Sequence, residues 1–417
     1  MKHVFVGFGF GPIQAGLFAK EARESGNFSD IAVAEVDQVL VDAVRRNGNR
    51  YSVNVACKDR LGIVEVEGVQ LLNPRNPGDR SSLLEIFSRA TEIVTSLPSV
   101  NFFSSGGADS VSSLLAEGLQ SNKASGTIVY TAENNNHAAE ILQEKMEAEP
   151  LFKKGHRPVQ FLNTVIGKMS QVVIDPKAIS GNLVPIAPGF PRAFLVEEFN
   201  HILVTKVNLS GFEPGITVFD QKTDLLPFEE AKLFGHNAIN TMLGFIAGQN
   251  GLKLMSELRD RQDIMVDARD AFINESGRAL ISKHGRLGDP LFTKTGFTDY
   301  ADDLLERMVN PYLADTVERT VRDPLRKLGY SDRIFGTMRL CLEQEIIPSK
   351  LTVGALAGLR VLMSDREKYK VPSDLKFSKN GTPSTSDVRG LLSWLWNGSF
   401  SEPDMSRISD LLVHAKP

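Results

Sequence analysis

The chain has 417 residues, of which 42% are hydrophobic and 24% charged, and its formal net charge is −4. This length allows two domains with separate cores, and the composition is that of an ordinary globular protein. A slightly acidic chain argues against a large basic surface for nucleic acid. The sequence contains no apolar run of about 18 residues, and its Gly- and Pro-interrupted start is a poor signal peptide, so we expect no membrane partner.

The two cysteines, Cys57 and Cys341, lie far apart in the sequence and form no CxxC or Cys/His pattern. We therefore expect neither a disulfide framework nor a metal site, and a reduced, cytoplasmic setting.

The first third of the chain alternates short apolar runs with helical stretches. Residues 3–11 are typical of a strand that runs into a Gly-rich turn, 12–25 of a helix, 30–37 of a second strand and 38–47 of a second helix. This order predicts a parallel, doubly wound sheet. Further strands are predicted at 100–106, 127–134 and 159–166, with a helix over 137–148.

The texture of the sequence changes in its second half. Residues 170–225 are rich in Pro, Gly and β-branched residues, which favours irregular and antiparallel structure, and helix-like patterns dominate after about 226. We therefore predict an α/β fold class. An N-terminal domain of Rossmann type, with a doubly wound sheet, is expected over 1–225. A mostly α-helical second domain is expected over 226–417.

Three glycines, Gly7, Gly9 and Gly11, follow the first predicted strand and precede the first predicted helix. A backbone without side chains can approach a pyrophosphate there, and the helix start offers free N–H groups to its charge. Pro12 stands where a third glycine is usual. Glu35 ends the second strand, where a carboxylate would hold an adenosine ribose and repel a 2′-phosphate, which favours NAD over NADP. The alternative is a structural glycine turn beside a surface glutamate.

The stretch KLFGHNAINTMLGF, residues 232–245, predicts a helix with one polar and one apolar face. At about 100° per residue, Lys232, His236, Asn240 and Asn237 share the polar face. A plain solvated face is the alternative. A lysine with a lowered pKa can act as general base on a hydroxyl, and asparagine amides can donate to a developing alkoxide, so the group suits carbonyl/alcohol redox chemistry.

At this helix the chain resembles the polyol-specific long-chain dehydrogenases, which carry Lys-x4-Asn-x2-His. Here the string is Lys232-x4-Asn237-x2-Asn240. Further strings that match the family lie at 34–55, 132–134, 163–169, 274–277 and 310–333. The resemblance implies an NAD-dependent enzyme of carbohydrate metabolism that uses no catalytic metal. Its small-molecule substrates would be a polyol, such as the sugar-alcohol phosphate mannitol 1-phosphate, and the corresponding ketose.

The resemblance also implies roles for single residues. Lys232 would be the general acid/base, and Asn237 and Asn163 would hydrogen-bond the reacting oxygen. The implied cofactor-binding residues are Gly7, Gly9, Gly11, Glu35, Glu133 and Asn134. Asn240 replaces the motif histidine, which orients the substrate in the family. We hypothesise that His236 takes over part of that role, with a solvent-facing or core histidine as the alternative.

Other departures leave the substrate open. Gly167 and Lys168 replace an Asp-Arg pair of the family. An unphosphorylated polyol or an aldonate- or hexuronate-type acid is therefore an alternative substrate, and a non-catalytic protein that binds NAD and a sugar is a further alternative. A basic run suggests ion pairing for most of its members, with one of them available to a phosphate: Arg319, Arg322, Arg326, Lys327 and Arg333. A monomer or small homo-oligomer is expected.

Overall fold

A computed structural model of the chain describes residues 2–152, 158–377 and 382–415. The chain forms two compact units, Met1–Leu226 and Pro227–Pro417. Within the described ranges, no helix combines the length and apolar character needed to cross a bilayer.

The first unit is built on two sheets. Its strands are β1 (His3–Phe8), β2 (Phe28–Ala34), β3 (Arg50–Ala56), β4 (Leu61–Glu67), β5 (Val69–Leu72), β6 (Glu92–Thr95), β7 (Thr127–Thr131), β8 (Val159–Ile166), β9 (Ser170–Val173), β10 (Ala193–Glu197), β11 (Ile202–Thr205) and β12 (Phe219–Lys222). Its helices are α1 (Ala19–Ser25), α2 (Gln38–Arg46), α3 (Pro77–Phe87), α4 (Val111–Ser121), α5 (Ala138–Glu147) and α6 (Pro176–Gly181).

In the described ranges the main sheet has eight strands in the order β12-β11-β8-β7-β6-β1-β2-β5. The strands from β8 to β5 in this order pair in parallel, and β11 pairs antiparallel with β8. A second sheet has the order β4-β3-β10-β9. The predicted doubly wound α/β fold is confirmed.

Both faces of the main sheet are covered. Phe5 and Val33 belong to one apolar cluster together with residues of α1 and α2, while Val6 and Ile93 belong to a second cluster with residues of α3, α4 and α5. Burial on both faces explains why these strands consist of almost continuous apolar runs.

The strand predicted at 100–106 is wrong. This segment contains a 3₁₀ helix, Val100–Ser104, and the strand beside β1 is the short β6 upstream of it. The Ser99 side chain accepts a hydrogen bond from the backbone N–H of Asn101, which starts a helical turn. The paired phenylalanines attracted the prediction, although Phe102 is 48% exposed and only Phe103 is buried.

The second unit is mostly helical, as predicted. Its helices are α7 (Leu226–Glu230), α8 (Ala238–Gln249), α9 (Gln262–Asp270), α10 (Arg278–His284), α11 (Lys294–Met308), α12 (Val317–Val321), α13 (Pro324–Lys327), α14 (Phe335–Glu343), α15 (Ser349–Ser364), α16 (Arg366–Tyr369), α17 (Thr385–Leu395) and α18 (Glu402–His414). Three π-helical turns lie directly before helices, Gln14–Phe18 before α1, Ala231–Asn237 before α8 and Ala271–Gly277 before α10. Such turns are rare and are frequent at functional sites.

Candidate functional site

A cavity of about 650 Å³ lies at the carboxyl ends of β1, β2 and β6. Its walls are the glycine turn after β1, residues 34–37 at the end of β2, and residues 96–98 after β6. The chain crosses from one side of β1 to the other between β5 and β6, so the cavity lies at the switch point of the sheet. Dinucleotides bind at this place in doubly wound folds.

The predicted glycines have different local roles. Gly9 has a φ of +78°, and a Cβ atom there would lie 2.8 Å from the carbonyl oxygen of Ser96. Gly11 lines the cavity and has open space where a Cβ would stand. Gly7 lies inside β1, where its missing side chain makes room for Gln14. Gly9 and Gly11 therefore suit a phosphate cradle, while Gly7 serves the packing of the first helical turn on the sheet.

Glu35 links the glycine turn to the end of β2. Its Oε2 accepts a hydrogen bond from the backbone N–H of Phe10 at 2.8 Å, and its Oε1 accepts one from the N–H of Asp37 at 2.8 Å. Each carboxylate oxygen keeps a further lone pair for a ribose hydroxyl. The residues present at the cavity thus fit the adenosine and pyrophosphate parts of NAD.

Glu133 supports this cavity from behind. It is 4% exposed, and its carboxylate accepts hydrogen bonds from the Thr95 hydroxyl at 2.9 Å and from the N–H of Leu97 at 2.8 Å. Burial raises its pKa to about 7. Since Leu97 lines the cavity and Glu133 does not, the carboxylate positions the wall. Asn134 is exposed beside it, and a direct cofactor contact of either residue stays a prediction.

In the second unit, the predicted catalytic helix begins with a π-helical turn, Ala231–Asn237. An α-helix would place Lys232 and Asn237 about 140° apart, whereas the hydrogen bonds of a π-turn join residues five positions apart. The turn therefore brings these two side chains closer to one face than the helical projection of the sequence predicts. The projection assumed α geometry, so the angles between these side chains differ from it, and the shared polar face stays a prediction.

Residues 274–277, the string NESG, hold this turn in place. The backbone carbonyl of Phe234 accepts hydrogen bonds from the Ser276 hydroxyl at 2.7 Å and from the Thr337 hydroxyl at 3.2 Å. The carboxylate of Glu275 accepts two backbone N–H groups in the first turn of α15, at 2.6 and 2.9 Å. Ser276 and Glu275 of this string thus bond backbone groups that have no regular helical partner, namely a carbonyl of the π-turn and two N–H groups at the start of α15.

The charges around Lys232 change its protonation. Burial and, after it, the nearby guanidinium of Arg333 lower the pKa of Lys232 to about 8, while Glu229 acts in the opposite direction. His236 is 6% exposed, and burial together with Arg307 lowers its pKa to about 3. Near neutral pH the lysine can therefore exist in both protonation states, and the histidine is neutral.

Asn237 and Asn240 are half-buried, and their side-chain amides have no hydrogen-bond partner among the residues that the structure describes. Both amides are thus available to a ligand. His236 lies in the same π-turn and its side chain is buried. A contact between this histidine and a substrate remains a hypothesis.

Asn163 lies in β8 of the first unit. Its Oδ1 accepts the backbone N–H of Ala139 in the first turn of α5 at 2.9 Å, and its Nδ2 donates to the carboxylate of Glu140 at 2.9 and 3.1 Å. The amide is therefore fixed with its nitrogen toward Glu140. Glu140 was not predicted as a partner of Asn163, because its position in the first turn of α5 is the only feature that distinguishes it in the sequence.

The basic run divides into paired and unpaired members. Arg319 pairs with Asp315 and Arg326 with Asp323, both at 2.8 Å, and Arg333 pairs with Asp332 at 2.8 Å. Arg322 is exposed and makes no ion pair within the described part of the chain. Ion pairing therefore accounts for three of the five cations.

Lys327, in contrast, is only 7% exposed, and its Nζ donates to the carbonyl oxygen of Thr320. Burial and then Arg333, Arg326 and Arg322 lower its pKa to about 8. Buried cations that face one another are costly unless an anion offsets them. Apart from Pro324, which separates α12 from α13, no feature of the sequence predicts that Lys327 is buried.

Lys168, which replaces the family's arginine, is a buried structural cation. Its Nζ donates to the carbonyl oxygens of Glu197 and Phe199 and to the side-chain oxygen of Asn200, the last two at 2.8 and 2.6 Å. It therefore clamps the chain after β10. Among the described residues, no group of three or more His, Cys, Asp or Glu side chains could hold a metal ion, and a reaction without a metal stays a prediction.

A Rossmann-type unit with a glycine turn, an acidic β2 end and a second, helical unit is the architecture of a two-domain dehydrogenase. Residues 224–387 match the model of the mannitol dehydrogenase C-terminal domain family. Over 376 residues the chain is 26% identical to a mannitol-1-phosphate 5-dehydrogenase of Brevibacillus brevis, with 89% of each chain covered. It is 25% identical to the Bacillus subtilis enzyme of the same name, with 85% of this chain and 86% of that one covered.

Two solved structures share the fold. D-sorbitol dehydrogenase in a substrate-free form aligns with a TM-score of 0.75 at 14% identity, over 98% of this chain and 92% of that one. Mannitol 2-dehydrogenase of Pseudomonas fluorescens, in a ternary complex with NAD and D-mannitol, aligns with a TM-score of 0.64 at 13% identity, over 99% and 91%. The predicted resemblance to polyol-specific long-chain dehydrogenases is confirmed.

Proposed function

We propose that this protein is an NAD-dependent dehydrogenase that interconverts a sugar-alcohol phosphate and its ketose phosphate, with Lys232 as general acid/base. The enzyme class and NAD follow from the family resemblance of the chain. The phosphorylated substrate and the role of the lysine go further. The role of the lysine rests on a half-buried Lys232 with a pKa of about 8 in the same π-turn as the half-buried Asn237.

In the oxidation direction, neutral Lys232 accepts the proton of the reacting hydroxyl. NAD supplies the hydride acceptor when bound. The amide of Asn237 donates a hydrogen bond to the oxygen as its negative charge grows, and such a donor contributes roughly 3 kcal/mol to transition-state stabilisation. In the reduction direction, protonated Lys232 returns the proton. A pKa near 8 lets one group serve both directions at neutral pH.

The phosphate proposal rests on the cations around Arg333. Lys327 is buried, the charges of Arg333, Arg326 and Arg322 lower its pKa, and Arg322 has no ion pair in the described ranges. A dianionic phosphate accepts bonds from several cations at once and would offset their mutual repulsion. The relatives named mannitol-1-phosphate 5-dehydrogenase support the same choice. We place the reaction in the cytoplasm, in keeping with the buried free thiols of Cys57 and Cys341.

The test is NADH oxidation by the purified protein with fructose 6-phosphate, fructose, and a hexuronate-derived keto acid. We expect the phosphorylated ketose to be preferred and Lys232→Met to lose activity by at least about a thousandfold while keeping its circular dichroism and its NADH affinity. Lys327→Met should raise the KM for fructose 6-phosphate and leave that for fructose unchanged.

Lys294→Met, which alters an exposed lysine of the same unit, is the matched control. Equal turnover of fructose 6-phosphate and fructose would contradict the proposal of a phosphorylated substrate. A preference for the keto acid would favour an aldonate- or hexuronate-type acid as the substrate. NADH binding without turnover of any compound would favour the non-catalytic alternative.

A further inference from the structure

An ion pair crosses the rim of the nucleotide cavity. Asp37 begins α2, where its Oδ1 accepts the backbone N–H groups of Val39 and Leu40 at 3.1 and 3.2 Å. Its Oδ2 accepts a hydrogen bond from a terminal nitrogen of Arg192. Arg192 precedes β10 of the second sheet, and its guanidinium carbon lies 4.7 Å from the ring centre of Phe190. Both partners of the pair line the cavity.

The pair lies close to the place of the adenosine ribose. Asp37 donates its backbone N–H to Glu35, the carboxylate expected at the ribose hydroxyls. A phosphate on the 2′ oxygen would therefore meet Glu35 and Asp37 first. Arg192 is a half-buried cation of the cavity wall, and a guanidinium fork suits a phosphate well. In the structure Asp37 neutralises that fork.

We propose that Asp37 determines the choice between NAD and NADP by holding Arg192, and that Arg192 is a latent site for a 2′-phosphate. The inference rests on the proposed use of a nicotinamide dinucleotide. In simple repulsion, acidic residues at the end of β2 disfavour a 2′-phosphate directly. Here NADP is disfavoured because Asp37 occupies the guanidinium of Arg192, which would otherwise bind the 2′-phosphate. Removing the charge of Asp37 should therefore create an attraction as well as end a repulsion.

The chain offers a conservative variant for the test. Asparagine caps a helix as well as aspartate does, so Asp37→Asn keeps the start of α2 and removes only the charge. The affinities for NAD⁺ and NADP⁺ are measured by titration calorimetry on the wild type, Asp37→Asn, Arg192→Gln and the double variant. Arg75→Gln in the Asp37→Asn background is the control, because Arg75 is an exposed cation of the same cavity.

We expect Asp37→Asn to tighten NADP⁺ binding by about tenfold while NAD⁺ affinity changes by less than about threefold. The double variant with Arg192→Gln should lose most of that gain, and the variant with Arg75→Gln should keep it. A gain that persists in the double variant, or that is lost with Arg75→Gln, would overturn the role of Arg192. No gain in Asp37→Asn would overturn the role of Asp37.

The wild type tests the proposed function separately. NAD⁺ binding with a failed Asp37→Asn gain would leave the dehydrogenase proposal intact and remove only the specificity device. A wild type that binds neither dinucleotide would contradict both.

Discussion

The π-turn at Lys232 depends on one hydroxyl, and Ser276→Ala removes it. The Ser276 hydroxyl donates to the carbonyl of Phe234 at 2.7 Å, and Ser276 is fully buried. Thr337 also reaches this carbonyl at 3.2 Å, but its single proton lies closer to the carbonyl of Arg333, at 2.5 Å. Ser276 is therefore the main partner of the Phe234 carbonyl. Leaving a buried carbonyl without a good partner costs about 1–3 kcal/mol of unfolding free energy.

The loss of the Ser276 hydrogen bond should also lower the catalytic rate. Without its donor, the Phe234 carbonyl is best satisfied by a regular helical bond, which would convert the π-turn toward α geometry. Asn237 would then rotate away from Lys232 by several tens of degrees. We expect kcat to fall about tenfold or more, because an oxyanion donor is misplaced, while the KM for the ketose changes little.

Urea unfolding gives the stability change, and NADH oxidation at saturating ketose gives kcat. The matched control is Ser409→Ala, since Ser409 is also buried in the second unit but its hydroxyl contacts only the sulfur of Met405, at 3.6 Å. The control should lose less than about 0.5 kcal/mol and keep its kcat. A Ser276→Ala protein as stable as the wild type would refute the carbonyl account, and lower stability with unchanged kcat would refute the catalytic importance of the π-turn.

Three further outcomes can be checked directly. Since the pKa of Lys232 is about 8, kcat/KM for polyol oxidation should rise through pH 8 and that for ketose reduction should fall, as measured by initial rates between pH 6 and 10 at about equal ionic strength. Burial raises the pKa of Glu92 to about 7 from 4.5, so the folded state loses stability as the pH rises between these values; Glu92→Gln should gain up to about 3 kcal/mol in urea unfolding at pH 8 and little at pH 4.5. Gly9→Ala should weaken NADH binding by at least about tenfold in a fluorescence titration, because of its φ of +78° and because its Cβ would lie 2.8 Å from the carbonyl oxygen of Ser96.

The first unit was predictable where local pattern and environment agree. Strands buried on both faces give continuous apolar runs, and the glycine turn with Glu35 has a spacing that few other structures use. The failure at 100–106 has the same origin, because the short β6 carries a glutamate and a threonine in four residues and was overlooked beside two phenylalanines. The buried carboxylate of Glu92 accepts hydrogen bonds from the backbone N–H of Gly215 and from the hydroxyl of Tyr130, both of which are distant in sequence.

The candidate site was predictable in its residue types and not in its geometry. Lys232 and Asn237 are recognisable by motif, but the π-turn that contains them depends on the hydroxyl of Ser276, which is distant in sequence. The burial of Lys327 and the pairing of Asp37 with Arg192 are likewise tertiary effects, with no local signal. Periodicity can rank side chains by face only while the helix keeps its regular hydrogen bonds.

Arg333 links the two parts of the proposed substrate site. It lowers the pKa of both Lys232 and Lys327. A phosphate bound to this cluster would offset the positive charge, and the pKa of Lys232 would then rise in the complex. Because kcat/KM reports the free enzyme and kcat the complex, the midpoint for kcat should lie above the midpoint for kcat/KM with a phosphorylated substrate. With an unphosphorylated polyol the two midpoints should coincide, since nothing then offsets Arg333. If the midpoints coincide for both substrates, the substrate phosphate does not bind to the cluster around Arg333.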